Sequence, residues 1–205
     1  MRYLLPVLLI AAPAAAQDEL PPGIWTNTED AYFAEEEGRP EQQPFAMEKR
    51  ADGMVREIDA FGQSEGEWEA SGPAMTASFR GGRWYIGESE IRRARPFECW
   101  VSVRKFAGKP DGSADWTFQR ALPVFDQGGK IAVPGNGEAP DVMLRMRNVT
   151  WAKGSRNKPS LVIYMHKDDP VRAESYSWAS PDASLIGINL RWVQASCSPV
   201  SEDGT

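Results

Sequence analysis

The sequence predicts an all-β protein, built as an antiparallel barrel or sandwich of about eight to ten short strands. Three observations support this prediction. From Phe45 onward, apolar and polar residues alternate with the period of a half-buried strand. Clusters of Gly, Pro, Asn and Asp separate these runs, and some have the form of hairpin turns. The last patterned stretch, from Ser184 to Cys197, ends in one of only two cysteines.

The first residues have the features of a secretory signal peptide. Arg2 carries a positive charge, a short apolar run follows, and an Ala-x-Ala ending precedes Gln17. The apolar run is shorter than the ~20 residues that span a bilayer. We therefore expect cleavage near Ala16 and a soluble protein that is periplasmic or secreted. The expected organisation is a signal peptide (1–16), a lead-in (17–44), a β-barrel domain (45–197) and a flexible tail (198–205).

The chain of 205 residues has a net charge of −6, which disfavours nucleic acid or anionic lipid as a partner. In an oxidising compartment, Cys99 and Cys197 most simply form one disulfide bond, and two free thiols are the alternative. The bond would close a long loop, which the chain-entropy account values at roughly 4.7 kcal/mol.

Before the β region, two local structures compete. Thr26 and Glu29 have the spacing of a capping box, which predicts a short helix from Asp30 to Glu37. A strand that begins at Trp25 is the alternative.

Two hairpins are the clearest local features of the following region. Phe45–Arg50 and Met54–Asp59 flank a turn that contains Gly53, and 74–80 and 83–89 flank Gly81-Gly82. The charged segment from Glu88 to Arg95 suggests a helical or irregular crossing. The remaining predicted strands are 97–106, 115–122, 141–150, 161–166, 171–178 and 185–194. Residues 127–129 and 134–137 are predicted turns, with at most a short strand between them.

Alternation predicts one apolar face for these strands. The residues expected to point inward are Met75, Ala77, Phe79, Trp84, Ile86, Val101, Val103, Trp116, Phe118, Val142, Leu144, Met146, Leu161, Ile163, Met165, Ile186, Ile188, Leu190 and Trp192. A barrel of this size either fills its interior with such side chains or leaves a small cavity.

Gly23-Ile24-Trp25 resembles the G-x-W signature of the calycins, the superfamily that contains the lipocalins and avidins. Residues 23–27 also resemble the opening of avidin-type barrels, and 187–190 resembles their ending. A Trp/Asn opening, a mid-chain cysteine and a late aromatic strand are similar in order to the calycin-like chromophore lyases that handle bilins. The resemblance implies an up-and-down barrel with Trp25 at its closed end and Arg191 as a cap over that tryptophan.

Tryptophan is the one unusual enrichment, with eight in the chain. Those predicted to line the interior are Trp25, Trp84, Trp116 and Trp192, whereas Trp68, Trp100, Trp151 and Trp178 need the far face or loops. Large flat side chains suit a planar apolar ligand, and they also fill barrels well. Glu88 and Arg120 are polar residues at positions where alternation predicts inward-facing side chains, and they could orient such a ligand.

Other chemistry has weaker support in the sequence. His166, the only histidine, lies beside Asp168 and Asp169, but Asp-Asp-Pro is ordinary turn chemistry and a second histidine is missing. No serine- or cysteine-nucleophile signature accompanies it. The acidic clusters lack calcium-loop spacing, and we predict neither a metal nor a cofactor. The basic cluster of Arg92, Arg93 and Arg95 is either an exposed edge or a contact for an acidic group.

These observations favour a non-catalytic exported barrel that binds a small apolar or aromatic molecule in its interior. Two alternatives stay open: an envelope interaction or structural module with a filled core, and a bilin lyase-like protein.

Overall fold

A computed structural model of the protein describes residues 19–70 and 76–200. The predicted signal peptide, most of the predicted tail and Met75 lie outside the described residues.

The described residues form one helix and fifteen strands, which confirms the all-β prediction with a short N-terminal helix. The elements are β1 (Gly23–Thr26), α1 (Thr28–Ala34), β2 (Ala46–Lys49), β3 (Met54–Ile58), β4 (Glu69–Ala70), β5 (Ala77–Arg80), β6 (Arg83–Ile86), β7 (Ser89–Ala94), β8 (Pro96–Arg104), β9 (Trp116–Phe125), β10 (Gln127–Val133), β11 (Val142–Val149), β12 (Ser160–Lys167), β13 (Ala173–Ala179), β14 (Ile186–Asn189) and β15 (Val193–Pro199).

The strands belong to three antiparallel sheets, and the fold includes a curled half-barrel. A seven-stranded sheet has the order β4-β3-β2-β1-β7-β6-β5, so β1 lies at its centre between β2 and β7. The two four-stranded sheets have the orders β10-β11-β12-β13 and β14-β15-β8-β9.

The main hydrophobic core lies between the two four-stranded sheets. One sheet contributes residues such as Phe97, Val101 and Val193, and the other contributes residues such as Leu144 and Ile163. These side chains are nearly all excluded from solvent, so this region is packed as a filled interior.

A bend connects these two sheets on one side. β9 ends at Phe125 and β10 begins at Gln127, so the chain passes from one sheet to the other around Asp126. A Cβ atom added at Gly129 would lie 2.3 Å from the Phe125 carbonyl oxygen, which only glycine avoids. The glycines that suggested a turn at 127–129 therefore permit a bulged strand, and the turn prediction is wrong there.

Cys99 and Cys197 form the predicted disulfide bond. They are directly opposite each other on β8 and β15, with a Cα–Cα distance of 4.0 Å. The bond therefore joins neighbouring strands at a closely spaced pair of the ladder.

Both glycine hairpins are confirmed. β2 and β3 are joined through Gly53, which has a φ of 84°. β5 and β6 are joined through Gly81 and Gly82, whose φ values of 58° and 79° favour glycine at both positions.

The predicted closing strand is wrong in one respect, because residues 186–199 form a hairpin. The chain reverses after Asn189, and the Leu190 N–H donates to the Val193 carbonyl oxygen at 2.8 Å. Leu190 and Trp192 lie half-buried in the turn and pack against the core from its end. The inward face resumes at Val193 and Ala195.

Two further local predictions are also wrong. Residues 89–94 form β7, not a helical or irregular crossing, because ion pairs such as Arg92–Glu90 satisfy the charges while Ile91 is buried. The capping box does not form. The N-cap residue is Asn27, whose side chain bonds the backbone of Gln43 and Phe45, and α1 spans Thr28–Ala34 instead of Asp30 to Glu37.

The alternation is confirmed for the core strands but wrong at several edges. Phe79 and Phe118 are exposed rather than inward, because β5 and β9 are edge strands of their sheets. Glu88 and Arg120 are exposed as well, so neither lies in an inward row.

A candidate ligand cleft

A cleft of about 1060 Å³ lies beside the seven-stranded sheet. Residues of β1, β6 and β7 form one wall, α1 forms a second, and the segment 150–159 forms a third. The cleft therefore lies outside the filled core between the four-stranded sheets.

Two tryptophans predicted to bind a ligand meet in this cleft. The ring centroids of Trp25 and Trp84 are 6.2 Å apart at an interplanar angle of 70°, an edge-to-face arrangement. Trp25 Nε1 donates to the Pro21 carbonyl oxygen at 2.9 Å, which fixes that ring. Both side chains belong to a small apolar cluster with Met47 and Ile91. Trp25 and Trp84 are 5% and 6% exposed, so only a small part of each ring borders the cleft.

The rest of the lining is strongly charged. The cationic residues are Arg39, Arg80, Arg83, Arg92, Arg93 and Lys153, and the acidic ones are Glu29, Asp30, Glu37 and Glu90. Positive charge is therefore in excess here, although the whole chain has a net charge of −6. A locally positive cleft in an acidic protein favours an anionic group on a ligand.

Most of these charges are held in ion pairs. Arg39 contacts Asp30 at 2.8 Å, and Glu90 accepts from Arg83 at 2.7 Å and contacts Arg92 at 3.0 Å. The guanidinium of Arg80 stacks on Tyr85, with 4.1 Å from Cζ to the ring centroid.

The outer wall is a loop that a hydrogen bond connects to the turn after α1. The Lys153 N–H donates to Glu37 Oε1 at 2.7 Å. This hydrogen bond is the main reason that the pKa of Glu37 lies below its ordinary value. Trp151, in the same loop, has a φ of 63°, which is uncommon for a bulky residue. Its Nε1 donates to the Lys158 carbonyl oxygen at 2.8 Å.

The other residues proposed for ligand binding lie elsewhere. Trp116 is half-buried at the start of β9, and Trp192 lies in the turn before β15, with Lys167 Nζ 5.1 Å from its ring centroid. Glu88 lies in the exposed turn between β6 and β7, and Arg120 stacks on Phe118 at 4.7 Å. Of the residues predicted to bind a ligand, the structure therefore brings together only Trp25 and Trp84.

The cap implied by the calycin resemblance does not form. Arg191 lies in the exposed turn between β14 and β15, whereas Trp25 lies on β1 in the seven-stranded sheet and packs against Trp84.

Sequence reasoning missed the convergence of cations from the segment that follows α1, from β5, β6 and β7, and from the segment 150–159. Only the cluster of Arg92 and Arg93 was visible as a run of like charge. The others are scattered singly along the chain. The pairing of β5, β6 and β7 brings Arg80 and Arg83 beside this cluster, and the pairing of β1 with β7 brings the chain that follows β1 there as well.

Across residues 19–70 and 76–200, no group of three or more His, Cys, Asp or Glu side chains is arranged to hold a metal ion. Among the same residues, no helix has the length and hydropathy that crossing a bilayer requires. Neither the known protein families, nor the curated proteins, nor the solved structures include a significant match to this chain.

Proposed function

We propose that the protein is an exported, non-catalytic binding protein that takes a small apolar or aromatic molecule in the cleft beside Trp25 and Trp84. The observation that carries this proposal is the combination of an edge-to-face tryptophan pair with a surplus of arginine around one large cleft. An aromatic wall supplies apolar contact, and a few placed charges supply orientation. The disulfide bond agrees with export, because such bonds persist in oxidising compartments.

The charge of the lining narrows the ligand class. Arg80 is exposed at the rim, and its described contacts are with Tyr85 and the Gly87 carbonyl oxygen, neither of which is a carboxylate. A guanidinium held in this way is free to pair with an anion on a ligand. The expected ligand is therefore a planar apolar molecule with one carboxylate or similar anionic group.

The proposal is tested with a naphthalene sulfonate and uncharged naphthalene as a matched pair of probes. We expect the sulfonate to bind more tightly by isothermal titration, and Trp84→Ala to weaken the binding of both. Arg80→Gln should reduce the affinity for the sulfonate alone. The controls are Trp178→Ala and Arg50→Gln, which remove exposed side chains outside the cleft.

Equal binding of the sulfonate by Trp84→Ala and Trp178→Ala would contradict the proposal. Native mass spectrometry of protein purified from its own compartment gives an independent check, since a bound molecule should purify with it.

A second candidate function is an interaction module, and an exposed aromatic pair favours it. Trp100 of β8 and Phe118 of β9 lie on the outer face of their sheet with ring centroids 5.6 Å apart. Exposed aromatic side chains are enriched at protein interfaces. Crosslinking in cells should then recover one recurrent partner, and Trp100→Ser should abolish its recovery.

A further inference from the structure

A second pocket, of about 340 Å³, lies on the four-stranded sheet β10-β11-β12-β13. It forms at one end of β10, β11 and β12, where the turn 168–170 and Phe61 close it. Its walls are mostly apolar and include Phe61, Ala132, Pro134, Val142, Met143 and Pro170. Its size is at the lower end of the range for small-molecule sites, roughly 300 Å³ upward.

The one buried polar side chain in its lining is His166. This residue of β12 is 5% exposed, and neither ring nitrogen has a well-aligned hydrogen bond to the described residues, although backbone groups of Asp169 and Arg172 lie near the ring. Buried polar groups nearly always have a partner, so an imidazole with both nitrogens unpaired indicates a missing one. The ring therefore retains hydrogen-bonding capacity on the wall of this pocket.

The charge state of His166 defines what it can bind. Burial lowers the pKa of His166, and the nearby cations Arg145 and Lys130 lower it further, while the backbone groups of Asp169 and Arg172 near the ring favour its charged form and oppose the shift. The ring is therefore neutral at pH 7, with one nitrogen that donates and one that accepts. A ligand hydroxyl, which also donates and accepts, is its natural complement.

The carboxylates that line the pocket already accept hydrogen bonds from backbone N–H groups of the turns. Asp141 Oδ1 accepts from the Gly135 N–H at 2.7 Å, and Asp168 Oδ1 accepts from the Asp141 N–H at 3.0 Å. Asp169 Oδ1 accepts from the Val171 N–H at 2.8 Å. Three negative charges around an apolar pocket disfavour an anionic ligand. An uncharged ligand fits this lining better.

We propose that this pocket binds a small uncharged cyclic molecule with a hydroxyl group, which hydrogen-bonds to the imidazole of His166 while its ring contacts Phe61 and Met143. The ligand differs in class from that of the cleft, which has a positive lining. The two sites also share no residue.

The test uses His166 as its own probe, because it is the only histidine of the chain. Phenol and toluene are titrated separately into the protein, and long-range ¹H–¹⁵N NMR spectra follow the two imidazole nitrogens. We expect phenol to shift both nitrogen signals and to bind about tenfold more tightly than toluene, as a buried hydrogen bond predicts. His166→Leu should remove the preference for phenol.

A second variant keeps the test decisive if His166→Leu fails to fold. Ala132 is exposed at the pocket, so Ala132→Trp should fill the space and abolish the phenol-induced shifts without disturbing the core. The control is Ala51→Trp in the exposed β2–β3 turn. Equal affinity for phenol and toluene, unchanged imidazole signals at saturating phenol, or full phenol binding by Ala132→Trp would each overturn the proposal.

Discussion

Glu29 of α1 and Arg147 of β11 form a bidentate ion pair that is almost completely buried. The distances are 2.6 Å from Nε to Oε1 and 2.9 Å from Nη2 to Oε2, and the side chains are 1% and 5% exposed. The ring of Tyr32 covers the guanidinium, with 3.9 Å from Cζ to its centroid. The pair joins α1, beside the seven-stranded sheet, to a four-stranded sheet, and Glu29 also lines the cleft.

Removal of one partner of this pair should be costly. Glu29→Gln keeps the shape of the side chain but leaves Arg147 buried without a countercharge, which we expect to lower the free energy of unfolding by about 3–5 kcal/mol. Urea denaturation measures this change. The double variant Glu29→Gln/Arg147→Met should recover much of the loss, because no unpaired charge remains.

The control for this prediction is Glu48→Gln, which breaks the more exposed pair with Arg56. Its expected cost is at most about 1 kcal/mol. Equal losses in the two single variants would show that burial does not govern the strength of the Glu29–Arg147 pair.

Loss of the disulfide bond should destabilise the protein without changing its fold. Cys99 and Cys197 are also strand partners, so the β8–β15 hydrogen bonds remain in Cys99→Ala/Cys197→Ala. We expect the free energy of unfolding to fall by about 2–5 kcal/mol, because the unfolded chain regains its freedom. Urea denaturation with and without a reductant measures it. The reductant should have no effect on the double variant, and an unaffected wild type would contradict the prediction.

Gly129 should be intolerant of any side chain. An added Cβ would lie 2.3 Å from the Phe125 carbonyl oxygen and 2.7 Å from its nitrogen, and both are backbone atoms of the bend. We expect Gly129→Ala to lower the free energy of unfolding by about 1–3 kcal/mol. Gly66→Ala is the matched control, since open space surrounds Gly66 and its φ is not in the left-handed region. Similar melting temperatures for the two variants would argue against a tight bend.

A fall in pH should lower the free energy of unfolding through protonation of His166, at pH values above those at which the carboxylates titrate. Burial lowers the pKa of His166 from its ordinary value of 6.5, so between the two pKa values the unfolded chain binds more protons than the folded one. Stability then falls as the pH drops below about 6.5, by at most ~1.4 kcal/mol per pH unit.

Urea denaturation between about pH 8 and pH 5.5 measures this slope, above the range where carboxylates titrate. His166→Gln should be nearly flat over the same interval, because no other histidine remains. A slope that persists in the variant would mean that another group is responsible.

Local sequence patterns were sufficient wherever alternation and turn chemistry agreed. Gly53 and the pair Gly81-Gly82 predicted two hairpins because tight turns need a positive φ, which glycine adopts far more readily than other residues. All three glycines have a positive φ in the structure. Cys197 and Cys99 predicted their bond because only one intramolecular pairing exists. The inward face of β11 and β12 followed from strict alternation, as both strands are paired on each side.

The same reasoning failed where a reversal lacked a turn signal. Residues 190–193 contain no Gly, Pro, Asn or Asp, and alternation continues through them, so the hairpin there is invisible in the sequence. Ser89–Ala94 failed for another reason. Glu90 is paired with Arg83 across β6 and β7, and local sequence order does not show which residue will lie opposite on a neighbouring strand.

The sequence by itself determined the all-β class, the positions of most strands and the cysteine pairing, because these depend on side-chain period, glycine conformation and the number of thiols. Only the tertiary structure decided how the strands divide into three sheets and which charges converge on the cleft. It also decided which polar groups are buried, as with Glu29 and His166. Sheet pairing brings together residues far apart in the chain, and the energy of a buried charge depends on neighbours that no local pattern specifies.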